Sequence, residues 1–183
     1  MKSPLKKVFI SAVLTLAALV SITYMSCNND KCKTIVCAYG GVCNQGACIC
    51  PSGYEGTNCE IISNSKFIGN WQVFEKGSTT NAAQYQIYIS ADTPVTTVTI
   101  TNFNNLFKVP IIAYVNHDSL IIPNQELQGK IIFGVGYIYS TATYGQFGAI
   151  AMSYEVVDTA TGRVDDFGYY PADLSNQSAW NKY

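Results

Sequence analysis

The sequence predicts a mainly β protein: a small disulfide-rich module followed by an antiparallel eight-stranded up-and-down β-barrel, with a β-sandwich as the alternative. Three observations carry that expectation. All seven cysteines fall between residues 27 and 59 of the 183. Beyond them, short runs rich in Val, Ile, Thr and Tyr recur, with the period-2 alternation of half-buried strands. Turn signals separate these runs, and almost no helical periodicity competes with them. With 48% hydrophobic and only 13% charged residues, most of the chain is expected to fold.

The first element is not part of either fold. Lys2, Lys6 and Lys7 precede an apolar run from Val8 to Val20 that only Ser11 and Thr15 interrupt. The run is short for a membrane span and has the size of a signal-peptide core, so residues 1–26 are read as a signal peptide. Cleavage by the ordinary signal peptidase before Cys27 would put Tyr24 at −3, where a small residue is needed. Tyr24-Met25-Ser26-Cys27 resembles a lipobox, with a small residue before the Cys, although Tyr24 departs from the usual aliphatic residue. Six of the seven cysteines fit one module, which leaves Cys27 over, and an odd Cys in an exported chain needs a partner or a modification. Lipidation of Cys27, with palmitate as the label to follow, accounts for it. Residues 27–31 then form a lipidated tether to the membrane.

The resemblance implies an outer-membrane lipoprotein facing the periplasm or the cell surface. Asn28-Asn29-Asp30 does not choose between those two faces. Once the signal is removed, eight basic residues stand against twelve acidic ones. That balance argues against nucleic acid as a partner, which rewards basic patches.

The cysteine module spans 32–59 with the spacing Cys32-x4-Cys37-x5-Cys43-x4-Cys48-x-Cys50-x8-Cys59. Six cysteines allow fifteen connectivities, and spacing alone does not select one. Twenty-eight residues cannot bury enough apolar surface to fold unaided, so cross-links are required. Each loop closed should contribute about 2–3 kcal/mol by restricting the unfolded chain. Zinc is the competing use of clustered cysteines, but there is no C-x2-C pair and no nearby His. The stretch Cys50-Pro-Ser-Gly53-Tyr54-Glu-Gly56-Thr-Asn-Cys59 resembles the EGF family, including the Gly-aromatic pair and the second glycine three residues before the last Cys. The resemblance implies the pairing Cys32–Cys43, Cys37–Cys48 and Cys50–Cys59. Calcium is not expected, because Lys31 stands where calcium-binding members place Glu or Gln. No metal or other cofactor is expected elsewhere.

After a linker at 60–66, the domain at 67–183 contains no Cys. Strands are expected near 70–75, 84–90, 95–102, 108–116, 119–124, 130–138, 146–157 and 164–170. Alternation is clearest at Gln84–Ser90 and Val95–Thr101. Pro110 weakens the fourth run, since proline in a strand belongs at an edge or a bulge. Eight short sequential strands suit a closed barrel, which removes edges altogether.

Phe67-Ile-Gly69-Asn70-Trp71 resembles the G-x-W motif that opens lipocalin-type (calycin) barrels, and Val98–Phe103 with Ile121–Gln125 resembles small lipocalin-like domains of Bacteroidetes lipoproteins. Those barrels often lay an Arg from the final strand over the Trp. The only Arg here is Arg163, at the start of the run 164–170. Closure through that run would set Arg163 near Glu75 and Trp71 against Tyr169 and Tyr170.

The loops near 76–82, 102–107, 125–129 and 159–163 should share the rim opposite Trp71. Within them Phe103, Leu106 and Phe107 are three large apolar residues where polar ones are expected, which makes them candidate ligand-binding residues. No catalytic residues are expected. His117 is the only histidine and sits in a turn beside Asp118, and Asp165 and Asp166 alternate to opposite faces of a strand. The chain is therefore expected to be a non-enzymatic binding or interaction module on a lipid anchor. The alternative is a carrier of a small apolar ligand in the barrel lumen. Partners expected are the membrane, through the anchor, and a protein or apolar small molecule.

Overall fold

The computed structural model describes residues 31–139, 148–170 and 174–183. Residues 1–26, expected to be a signal peptide, and Cys27 lie outside the described residues, as does the expected start of a strand at 146.

The module is held by disulfides Cys32–Cys43, Cys37–Cys48 and Cys50–Cys59, the same pairing that the EGF resemblance implies. Its two hairpins are small. β1 (Val42–Asn44) pairs with β2 (Ala47–Ile49), and β3 (Tyr54–Glu55) pairs with β4 (Ile61–Ile62), the latter formed in the linker. Gly46 turns the first hairpin at φ +94°, a conformation open to glycine at no steric cost.

A 3-10 turn at Ser63–Lys66 leads into the barrel. Its strands are β5 (Gly69–Glu75), β6 (Ala83–Ala91), β7 (Thr97–Thr101), β8 (Ile111–Asn116), β9 (Ser119–Leu127), β10 (Lys130–Tyr139), β11 (Ala149–Asp158), β12 (Val164–Phe167) and β13 (Ser178–Lys182). Each pairs antiparallel with its sequential neighbour from β5 to β11. The sheet then closes through β13, which pairs with both β11 and β5. The result is a closed antiparallel eight-stranded barrel.

Two sequence expectations need correction here. The closing strand is Ser178–Lys182, not 164–170. β12 instead pairs with the outer half of β11, over Glu155–Val157, while β13 takes the inner half, over Ala149–Met152. Two short strands thus share one edge of a ten-residue strand. Trp71 accordingly faces neither tyrosine. Its register partner is Lys182, whose Nζ lies 5.5 Å from the indole centroid and donates to Lys66 O at 2.8 Å. A cation from the final barrel strand does cover the Trp, and it is a lysine. Tyr169 packs edge-on against Phe133 at 5.0 Å, and Tyr170 is exposed.

Pro110 precedes β8 rather than interrupting it, and Pro123 lies within β9 where the register with β10 shifts by a residue. Proline is tolerated at such a bulge because no ladder donor is needed there.

Period-2 alternation decides which side chains point inward. In β5 these are Trp71, Val73 and Glu75; in β6 they are Tyr85, Ile87 and Ile89. The inward sets meet in one core that all eight barrel strands enter, including Ile100, Ile111, Leu120, Ile132, Met152, Tyr154 and Trp180. Room for two bulky inward side chains of β11 comes from glycines in β10. Gly134 is opposite Tyr154 and Gly136 opposite Met152, both on inward positions.

The module packs on the barrel end where β5 begins. Gly53 lies against Val95 and Thr96 of the β6–β7 loop, and its carbonyl accepts from Ser63 N at 2.9 Å. Lys66 joins the parts at 2.6 Å from both Glu55 in β3 and Asp118 in the β8–β9 turn.

Candidate functional site at the barrel mouth

The other end of the barrel gathers the segments 76–82, 102–110, 128–129 and 159–163, where the sequence predicts 76–82, 102–107, 125–129 and 159–163; β9 runs on to Leu127 and shortens the third of them. The segment after β7 folds back into the mouth. Asn102, Asn104 and Asn105 all adopt left-handed φ values, between +48° and +59°. Asparagine enters that region more readily than other side-chain-bearing residues, so this run can reverse tightly without glycine. The reversal drives Phe103 and Phe107 into the core, 0% and 1% exposed. Phe103 meets Tyr154 and Trp180 edge-on, at 4.8 and 5.9 Å. Two of the three expected ligand-binding residues therefore form the barrel's plug. Leu106 stays half-exposed and lines a cavity of about 450 Å³ at the rim, with Asn104, Val156, Thr79, Thr80, Lys130, Asp158, Thr161, Arg163 and Asp165.

Beneath the plug lies a buried carboxylate. Glu75 accepts from Tyr85 OH at 2.6 Å and Asn104 Nδ2 at 3.1 Å on one oxygen. Its other oxygen accepts from Tyr154 OH at 2.7 Å and Ser178 Oγ at 2.8 Å. The network extends further. Asn104 Nδ2 also donates to Tyr154 OH, and Trp180 Nε1 donates to Ser178 Oγ, both at 2.8 Å. Burial raises the Glu75 carboxyl above its ordinary value, partly offset by the four donors that favour the charged form. Burial, followed by the nearby Glu75 charge, also pushes the Tyr85 phenol strongly upward. Burial raises Tyr154 likewise, so both tyrosines remain donors. Five chain segments converge on this carboxylate: β5, β6, the plug, β11 and β13.

At the rim itself, charges are mostly spoken for. Lys130 pairs with Asp158, whose other oxygen accepts from Ala160 N, Thr161 N and the Thr161 hydroxyl. The Lys130 contact, with those turn donors, holds the Asp158 carboxyl well below the usual range. Asp165 accepts from Thr79 N at 2.8 Å and fixes the loop after β5. Asp166, on the alternate face, accepts from Tyr169 N at 2.7 Å.

Sequence reasoning did not single out the Glu75 cluster. The signal was present in the period-2 pattern, since Glu75 occupies the same inward phase as Trp71 and Val73. A carboxylate at an inward position demands buried donors.

A second cavity, about 630 Å³, lies between module and barrel, lined by Cys50–Gly56, Ser63, Thr96, Val115, Asn116 and His117. His117 stands in the β8–β9 turn at φ +53°, with Nδ1 at 2.8 Å from Asn116 Oδ1. No known protein-family model matches the chain.

Proposed function

We propose that this chain is a membrane-anchored lipoprotein that works as a binding and interaction protein. In this reading an EGF-like module serves as a spacer and carries a lipocalin-type barrel on an acylated Cys27. The observation that carries it is the filled barrel. Side chains from every barrel strand occupy the interior, and Phe103 and Phe107 stopper the mouth. An eight-stranded barrel of this kind has its lumen occupied by its own side chains, which leaves the outer surface and rim for recognition. The lipocalin-type reading gains support from the 3-10 turn before β5, the Gly69-Asn70-Trp71 motif and the Lys182 ammonium over Trp71. The spacer reading gains support from the Lys66 ion pairs, which tie the module to the end of the barrel away from the rim.

The anchor is tested by metabolic labelling. Cys27→Ala should abolish incorporation of radiolabelled palmitate, and unchanged labelling would refute the anchor. The rim cavity, whose lining includes the apolar Leu106 and Val156, favours the competing reading of an apolar-ligand carrier. Native mass spectrometry of the full processed chain from cells separates the two. A ligand-free mass is expected, whereas a reproducible apolar companion would make the chain a carrier.

A further inference from the structure

We infer that the β1–β2 face of the cysteine module is a membrane-contact surface, seating on an anionic lipid bilayer beside the anchor. The inference rests on acylation of Cys27. The contacts that tie the module to the barrel come from its second half, through Gly53 and Glu55. The first half presents apolar side chains to solvent. Val42 and Ile49 are direct cross-strand partners, so they share one face of the hairpin, and they are 65% and 58% exposed. Asn44 and Ala47 complete that face and bring no charge. Val36 is the most exposed large apolar residue in the module, at 83%. Val42 and Ile49, grouped on one uncharged hairpin face, form the kind of contiguous apolar patch that marks a contact surface.

Charge selects the occupant. Between residues 27 and 50 the only charged side chains are Lys31, Lys33 and one acid, Asp30, a net charge of +1. From 51 to 183, six basic residues stand against eleven acidic ones. Lys31 lies against the hairpin turn, since a Cβ on Gly46 would sit 3.3 Å from Lys31 Cβ. An anionic surface therefore attracts this tip of the molecule and repels the remainder.

Reach agrees with charge. Cys27 and Lys31 are four residues apart, which spans at most about 14 Å of extended chain. The lipid thus holds the hairpin at the headgroup layer, at an effective concentration on the order of millimolar for so short a link. A patch of a few aliphatic side chains and two lysines, too weak to bind a bilayer by itself, is occupied under those conditions. Its role is orientation: the anchor supplies attachment, and the hairpin fixes which end of the protein faces the lipid.

The test uses the full lipidated protein reconstituted in vesicles of phosphatidylethanolamine and phosphatidylglycerol with brominated acyl chains. Trp71 and Trp180 are 0% and 1% exposed within the barrel, so a tryptophan added at Val42 or Ile49 reports separately. Emission from V42W and I49W should shift to the blue and fall about twofold relative to non-brominated vesicles. L106W, on the barrel rim, should be unquenched. The K31E/K33E pair in the V42W background should lose most of the quenching. Unquenched V42W and I49W in a protein that still incorporates palmitate would overturn the contact and leave the anchor standing. Blue-shifted but unquenched emission in native membranes would assign the face to a protein instead and overturn the inference. Absence of palmitate with no vesicle association would overturn the anchor itself.

Discussion

Glu75→Ala is expected to lower the unfolding free energy by about 3–5 kcal/mol, since each buried donor left without an acceptor costs about 1–3 kcal/mol and the losses are not fully additive. The substitution strands Tyr85 OH, Tyr154 OH, Ser178 Oγ and Asn104 Nδ2 together. These donors come from β6, β11, β13 and the plug, so their loss loosens the seam and the mouth at once. Chemical denaturation of the two proteins at neutral pH measures the difference. A loss below about 1 kcal/mol would show that water replaces the carboxylate in full.

The same residue predicts a pH dependence of defined sign. Burial raises the folded-state value of Glu75 above the ordinary 4.5. Its contribution to stability is therefore fully present below that ordinary value and is lost as pH rises toward the raised folded value. Between pH 4 and 8 the wild type should lose stability relative to Glu75→Gln, which does not titrate. Glu155 is also raised by burial, with a further push from Asp166, and acts in the same direction in both proteins, so the difference isolates Glu75. A difference that is flat with pH would refute the buried-charge account.

Gly134→Val is expected to be as damaging, with a loss of about 3 kcal/mol or more, at the upper end of overpacking costs. A Cβ there would lie 2.4 Å from Tyr154 Cβ, 2.6 Å from Ser153 O and 2.9 Å from Tyr154 Cα. All three are backbone atoms or the first side-chain atom, and none can swing aside. In an open sheet the strands could splay, but closure on both sides of β10 and β11 forbids it. Gly136 supplies the comparison. Its nearest neighbour would be Met152 Sδ at 2.5 Å, the far end of a flexible side chain. Gly136→Ala should therefore cost far less than Gly134→Ala, and thermal unfolding of the two alanine variants checks the order. Equal losses would mean that the two glycines serve backbone conformation rather than space.

Much of the fold was legible because its signals are local. Alternation marked β6 and β7, and turn residues marked the joins. Cysteine spacing carried the module through its family likeness. The closing strand was not legible, for a physical reason. Ser178–Lys182 points inward with Ser178 and Trp180, and Ser178 is polar because its hydroxyl links Trp180 Nε1 to the Glu75 carboxylate. A strand with one large apolar side chain leaves almost no hydrophobic pattern to find. The run 164–170 carried a stronger pattern and was given the closing position, although it covers only the outer half of β11. Phe103 and Phe107 illustrate the converse. Their exposure was inferred from a loop-like sequence, but the three left-handed asparagines that turn them inward are a conformational property that hydropathy does not register.

The shared edge of β11 has a consequence for how the chain acquires its form. Every ladder from β5 to β11 joins neighbours in sequence and can zip as the polypeptide emerges. The seam cannot, because its bond from Ser178 to Glu75 spans 103 positions. Pairings of such long range are the slow ones, since loop-closure entropy must be met before contact compensates it. Until Ser178–Lys182 arrives, the first strand and the last long strand are unsatisfied borders of a curled ribbon. The ribbon therefore stays open, with two unpaired borders, for as long as that last segment is missing. It becomes a cylinder only when Ser178–Lys182 pairs with both β11 and β5.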